Sequence, residues 1–141
     1  MDIAQREAQI RRFVDEVWNA RRYEAAAELY AESYSNSLGT GPSAKTNGMR
    51  RYHQAFPDLR VDIDELVITE DSAVLRFTMR GADTGGFIGR PPTGRKVEQW
   101  GVSILHFDGN RVVSEWMGSD KLALFIQLGV VDDPWVVPAQ R

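Results

Sequence analysis

The feature that most constrains this chain is a change of hydrophobic period at Pro57. Before it, apolar residues recur at helical spacing; beyond it, from Arg60 to Ser119, they fall on every second residue. RVDIDELVIT alternates through Val61 and Ile63 and slips one step at Glu65–Leu66, as a bulge produces. AVLRFTMRG sets Leu75, Phe77 and Met79 on one side and Arg76, Thr78 and Arg80 on the other. KVEQWGVSILHF and RVVSEWMGSD follow, joined at Asp108-Gly109, a strong hairpin signal. The second half of the chain must therefore be a mostly antiparallel sheet.

Upstream, Ile3, Ile10, Phe13, Val14 and Val17 predict an amphipathic helix over 3–18. A second helix is expected in YEAAAELYAE, then a long loop through SYSNSLGTGPSAKTNG. A third covers about Gly48 to Ala55, with Met49, Tyr52 and Phe56 on one side, and Pro57 stops it. DKLALFIQLG forms a last helix, with Asp120 at its N-cap and Gly129 at its end. Helices, a sheet and a closing helix make an α+β arrangement, expected as one domain over 1–141.

Several functions are disfavoured. Net charge is −3 with no basic block, so no nucleic-acid partner is expected. Without cysteine, the chain has no disulfide, thiolate metal site or cysteine nucleophile. His53 and His106 are the only histidines and neither has a carboxylate at a ligand-like offset, so no metal is expected. MDIAQREAQI lacks the apolar core of a signal peptide, and no stretch nears the roughly 20 apolar residues of a membrane span. A cytoplasmic protein away from membranes is the expectation. GRPPTGRK resembles a phosphate loop, but it connects two strands and puts Arg95 at the lysine position; a turn-rich crossover or lid fits better.

The strand at 97–107 is apolar on both faces, with Trp100, Val102 and Ile104 on one and Val97, Leu105 and Phe107 on the other. One face can pack on helices. The other needs a cover, which predicts a homo-oligomer, a dimer being the simplest.

The hairpin holds the main candidate site. A one-residue slip sends every side chain to the opposite face, so the turn decides what His106 meets. A two-residue turn at Asp108-Gly109 pairs Phe107 with Asn110 and points His106 away from Trp116. A three-residue turn through Asn110 pairs Phe107 with Arg111, and His106 then shares an apolar face with Val112, Ser114, Trp116 and Asp120. The second register groups most large apolar residues together and is favoured. It nominates Asp120 and His106 as catalytic groups, although an N-cap and a sheet histidine are the plainer readings of each alone. Asp83 either points to the core or forms a turn before Thr84-Gly85-Gly86. Asn36, Trp100, Trp116 and Phe56 complete the candidate substrate-binding set.

Taken together, AFPDL (55–59), GADTGGFIGRPPTGRKVE (81–98), LHF-DG (105–109) and EWxxxD followed by QLG (115–129) resemble the SnoaL-like polyketide cyclase family. The resemblance runs from about Ile10 to Gly129. It implies a cone-shaped α+β barrel: a curved, mostly antiparallel sheet closed by three N-terminal helices, a short C-terminal helix and a deep apolar pocket. It also implies chemistry without cofactor or metal on a small apolar or aromatic substrate. Asp120 matches the family's acid/base aspartate in an intramolecular aldol cyclisation, and His106 its pocket histidine. Asp83 stands where the family often has His, and Asn36-Ser37 where it often has Asn-His. The function expected is a polyketide cyclase of secondary metabolism. The alternatives are a hydroxylase, hydratase or isomerase in the same fold, or a non-catalytic small-molecule-binding module.

Overall fold

The computed structural model describes residues 1–136. Asp2 and Gln5 start the first helix by exchanging side-chain-to-backbone hydrogen bonds of 2.7 and 3.0 Å, a reciprocal cap. Helix α1 spans Ile3–Phe13 and widens into a π-helical segment, Val14–Asn19. The second expected helix is only a 3₁₀ stretch, Tyr23–Glu28. A small ribbon, β1 (Ser35–Asn36) with β2 (Gly39–Thr40), follows. Helix α2 then runs Pro42–Ala55 and so starts about six residues before the sequence suggested. Its first turn, PSAKTN, reads as loop by composition. Pro42 at the first helical position tolerates its missing N–H there, because the first turn has no intrahelical acceptor to lose.

Four strands form the main sheet in the order β3 (Arg60–Ile68), β4 (Ser72–Ala82), β5 (Lys96–Asp108), β6 (Arg111–Ser119), every neighbouring pair antiparallel. The expected bulge is real but falls between Ile63 and Glu65, one step before the position read from the pattern. Short helix α3, Lys121–Gln127, closes the described chain; Asp120 Oδ1 accepts from Ala123 N at 3.0 Å and Gly129 takes φ 74° just past its end.

The fold is α+β, but the cone-shaped barrel is corrected. Among the described residues the four-stranded sheet is open, because β3 and β6 never pair with each other. Each edge strand is instead bonded at one residue by a segment from the helical half. On β3, the Asn19 amide donates to Val61 O and accepts from Val61 N, at 2.9 and 2.8 Å, in the manner of a neighbouring strand. On β6, Val112 N donates to Leu29 O and Val112 O accepts from Ala31 N.

Helices and 3₁₀ stretch pack on one face of the sheet, where Val61, Leu75, Phe77, Met79, Leu105 and Val112 meet Ile10, Phe13, Val17 and Leu29. Buried Arg6 fixes α1 on this face: its guanidinium donates to Glu70 O and Gly109 O, one carbonyl from each hairpin turn, and lies 3.9 Å over the Phe107 ring. Gln9 adds bonds to Glu28 O and Asn110 O.

Candidate functional site

The inner face of the β5–β6 hairpin is built from Gln99, Gly101, Ser103 and Leu105 on one strand and Glu115, Met117 and Ser119 on the other. Small and polar residues dominate its middle, and that is what leaves room. A cavity of about 430 Å³ opens between this face, α2 and the π-helical segment. Its volume lies within the roughly 300–1,000 Å³ range of small-molecule sites. Trp18, Met49, Tyr52, Phe77, Met79 and Leu38 form most of its apolar wall. Gly101 makes room for the Phe77 ring: a Cβ at this position would stand 2.5 Å from the tip of that ring and force it to shift.

Trp18 owes its place to the π-helix. The wider turn bonds Ala20 N to Asp15 O, five residues back, and the Trp18 carbonyl meets His53 Nε2 at 2.8 Å. Tyr23 OH contacts the other ring nitrogen at 2.5 Å. Burial lowers the His53 pKa, against the hydrogen bond to Trp18, so the neutral ring is favoured at this position.

At the deep end sits a buried ion pair. Lys45 Nζ lies 3.0 and 3.1 Å from the two Glu115 oxygens, and the side chains are 7% and 3% exposed. Tyr30 and Tyr34 hydroxyls donate to the same Glu115 Oε1 at 3.0 and 3.3 Å. Burial, followed by the Glu115 charge, holds the Tyr30 phenol well above its ordinary pKa and pushes Tyr34 up to about 12. Both therefore serve as donors at neutral pH, and the carboxylate is committed to four contacts. Asn36 extends this cluster: its amide donates to Tyr34 OH and Ala44 O and accepts from Leu38 N, and the residue lines the cavity.

At the mouth, Lys121 Nζ is 3.0 Å from Ser119 Oγ and 3.3 Å from Tyr52 OH. Asp120 lies between Ser119 and Lys121, both of which line the cavity; one oxygen caps α3 and its backbone N–H donates to Trp100 O.

The other sequence candidates lie apart from the cavity. The turn follows neither anticipated register: Asp108 pairs with Arg111 across Gly109-Asn110, Phe107 pairs with Val112, and the ladder shifts by one residue before His106 meets Ser114. That shift lets Val112 join Phe107 in the core, while His106 stays on the face of Ser114 and Trp116. This face is the outer one. Trp100 is 51% and Trp116 60% exposed, and His106 is exposed with Nδ1 3.3 Å from Ser72 Oγ. Asp120 bonds to the backbone of Trp100, six residues along β5 from His106 and so roughly 20 Å away at strand rise. Phe56 is buried in an aromatic group with Tyr52 and Phe87. Asp83, 1% exposed, buckles the crossover: it accepts from Gly86 N, Thr93 N and Thr93 Oγ1 at 2.9–3.0 Å. Sequence reasoning missed Lys45, Glu115, Gln99 and Lys121. Glu115 and Gln99 carried one signal, charged or amide residues at inward parity within strands.

Among the described residues no helix is long and apolar enough to cross a membrane. A family model described as SnoaL-like polyketide cyclase matches residues 8–128. No curated protein matches the chain. Among solved structures, TsrD from Streptomyces laurentii is similar with a TM-score of 0.85 and 24% identity over 93% of this chain and 99% of its own, a likeness of fold. AclR from Streptomyces galilaeus, a candidate hydroxylase, is 27% identical over 98% of this chain and 87% of its own, with a TM-score of 0.81. IdmH from Streptomyces antibioticus, a candidate polyketide cyclase, is 25% identical over 89% of this chain and 99% of its own, with a TM-score of 0.75.

Proposed function

The chain belongs to the SnoaL-like polyketide cyclase family, and from that premise we propose that it closes a ring by a cofactor-independent intramolecular aldol reaction on a polyketide-type aromatic intermediate. The carrying observation is the cavity of about 430 Å³, walled by aromatic and apolar side chains, with polar groups gathered at its two ends. Such a wall holds a fused-ring substrate by burial and leaves its few oxygens to the polar ends.

In this reading Asp120, between two mouth residues, removes a proton from the carbon next to a carbonyl. Lys121, held beside Ser119 and Tyr52, stabilises the enolate oxygen. The enolate carbon attacks a ketone of the same molecule, and Asp120 returns the proton to the new alkoxide. Substrate and product are isomers, so no oxidant or reductant enters. Folding the chain against Trp18 and Phe77 supplies the positioning. His106, on the outer face, takes no step in this scheme. Trp100, Trp116 and His106 instead belong to the surface that a second copy of the chain would cover.

The test is turnover of an anthraquinone-type ester bearing an activated methylene, with deuterium uptake at that carbon in heavy water. Asp120→Asn is expected to retain less than about a tenth of wild-type turnover and exchange. Retention above that level removes the acid/base role. A second reading, hydroxylation with an external reductant, is favoured by the similarity to AclR over 98% of this chain. It predicts oxygen consumption matched to product, and turnover under anaerobic conditions rules it out.

A further inference from the structure

Among the described residues three buried side-chain polar atoms lack a hydrogen-bond partner, Arg6 Nε, Gln9 Oε1 and Gln99 Nε2, and of these residues only Gln99 lines the cavity. Arg6 and Gln9 still bond through their other nitrogens, Arg6 to Glu70 O and Gly109 O and Gln9 to Glu28 O and Asn110 O, and both pin α1 to the sheet. Gln99 is 3% exposed, on the inner face of β5 opposite Met79, and its Nε2 has no hydrogen-bond partner. A buried donor without an acceptor is a cost that a leucine of similar size would avoid. The residue also lines the 430 Å³ cavity, near the mouth where Ser119 pairs with Gly101. The last torsion of a glutamine is broad and roughly two-fold, so the amide turns toward the cavity at little expense.

We propose that Gln99 is the specificity-determining donor of the cavity, reading a carbonyl or phenolic oxygen of an aromatic ligand packed between Phe77 and Met79. The proposal rests on the polyketide-type ligand reading and does not depend on which group moves the proton. A site with a buried donor discriminates strongly against an analogue that lacks the matching acceptor, because the donor is then left unpaired in a dry environment. The apolar walls cannot achieve this, since they hold a ring with or without its oxygen. Gln99 would thus select oxygenated rings from hydrocarbons of the same shape.

The experiment is calorimetric binding of two probes of one shape, 1-tetralone and tetralin, to the full chain. Wild type is expected to bind the ketone at least about fivefold more tightly. Gln99→Leu and the more flexible Gln99→Met are expected to erase that preference by weakening the ketone alone, with tetralin unchanged or tighter. Two variants guard against one that fails to fold. Equal weakening of both probes, an unchanged preference, or no preference in wild type overturns the proposal. If neither probe binds wild type, the aromatic-ligand reading falls and the role of Gln99 with it. Asp120→Asn is expected to keep the preference, so an error in the acid/base assignment leaves this result standing.

Discussion

The two faces of the β5–β6 hairpin have exchanged the properties that a simple core rule would give them. The outer face carries Trp100, Val102, Ile104 and Trp116, and both tryptophans are more than half exposed. The inner face carries Gln99, Gly101, Ser103 and Glu115, with Gln99 and Ser103 buried. A face that encloses a ligand cavity cannot be filled by large apolar residues, because they would occupy the space. Its small residues create the volume, and of its polar ones Glu115 is held by Lys45, Tyr30 and Tyr34 while Gln99 keeps a free donor. The outer face is free of that demand and keeps its bulk for another surface.

Changes on the inner face test this contrast hardest. Lys45→Met leaves the Glu115 carboxylate buried with only tyrosine donors. It is expected to lower stability by about 3–5 kcal/mol in urea unfolding, as for a broken buried pair. A loss below about 1 kcal/mol would mean that the pair is effectively solvated. Gly101→Ala drives a methyl into the Phe77 ring and should cost about 1–3 kcal/mol by thermal unfolding while narrowing the cavity. An unchanged melting temperature would show that the ring moves aside freely.

On the outer face, Trp116→Glu should leave monomer stability within about 1 kcal/mol, since the residue is 60% exposed. Its expected effect is on assembly: sedimentation should move from dimer toward monomer. A wild type that is monomeric at micromolar concentration would remove the covering copy altogether.

The smallest effects are in pH. The Tyr34 pKa is raised to about 12 in the folded protein, so its stabilising contribution is complete below pH about 10 and is lost as pH climbs toward 12. Tyr34→Phe should flatten that alkaline limb. His53 is shifted the other way, so its contribution is present above pH about 6.5 and is lost as pH falls through the lowered folded value. Melting temperature against pH for His53→Gln should show a shallower acid limb than wild type. Parallel curves would detach both groups from the stability of the site.

Much of the fold was legible because it rests on local chemistry. Alternation located the strands, Gly109 sits at φ 58° in the hairpin turn, and Asp120 caps α3. The start of α2 was hidden, since Pro42, Ser43 and Thr46 read as loop although they suit a first helical turn. The register near His106 was hidden too. It turns on Val112, whose N–H and C=O both bond to the segment after the 3₁₀ stretch, a contact about 80 residues away in sequence that no hairpin rule contains. Of the candidate site residues, only Asn36 lines the cavity; Asp120 does not, although its sequence neighbours Ser119 and Lys121 do.

By itself, then, the sequence determined the four strands of the sheet and the helices at its two ends, because periodicity and turn chemistry act over a few neighbours. Only the tertiary structure decided which face turns inward and whether the sheet closes. Those outcomes depend on what docks where: Arg6 and Gln9 pinning α1 to the hairpin turns, and Asn19 and Leu29 occupying the sheet edges. The decisive hydrogen bonds join residues far apart in the chain, and the periodicity of a strand is the same whichever side they hold.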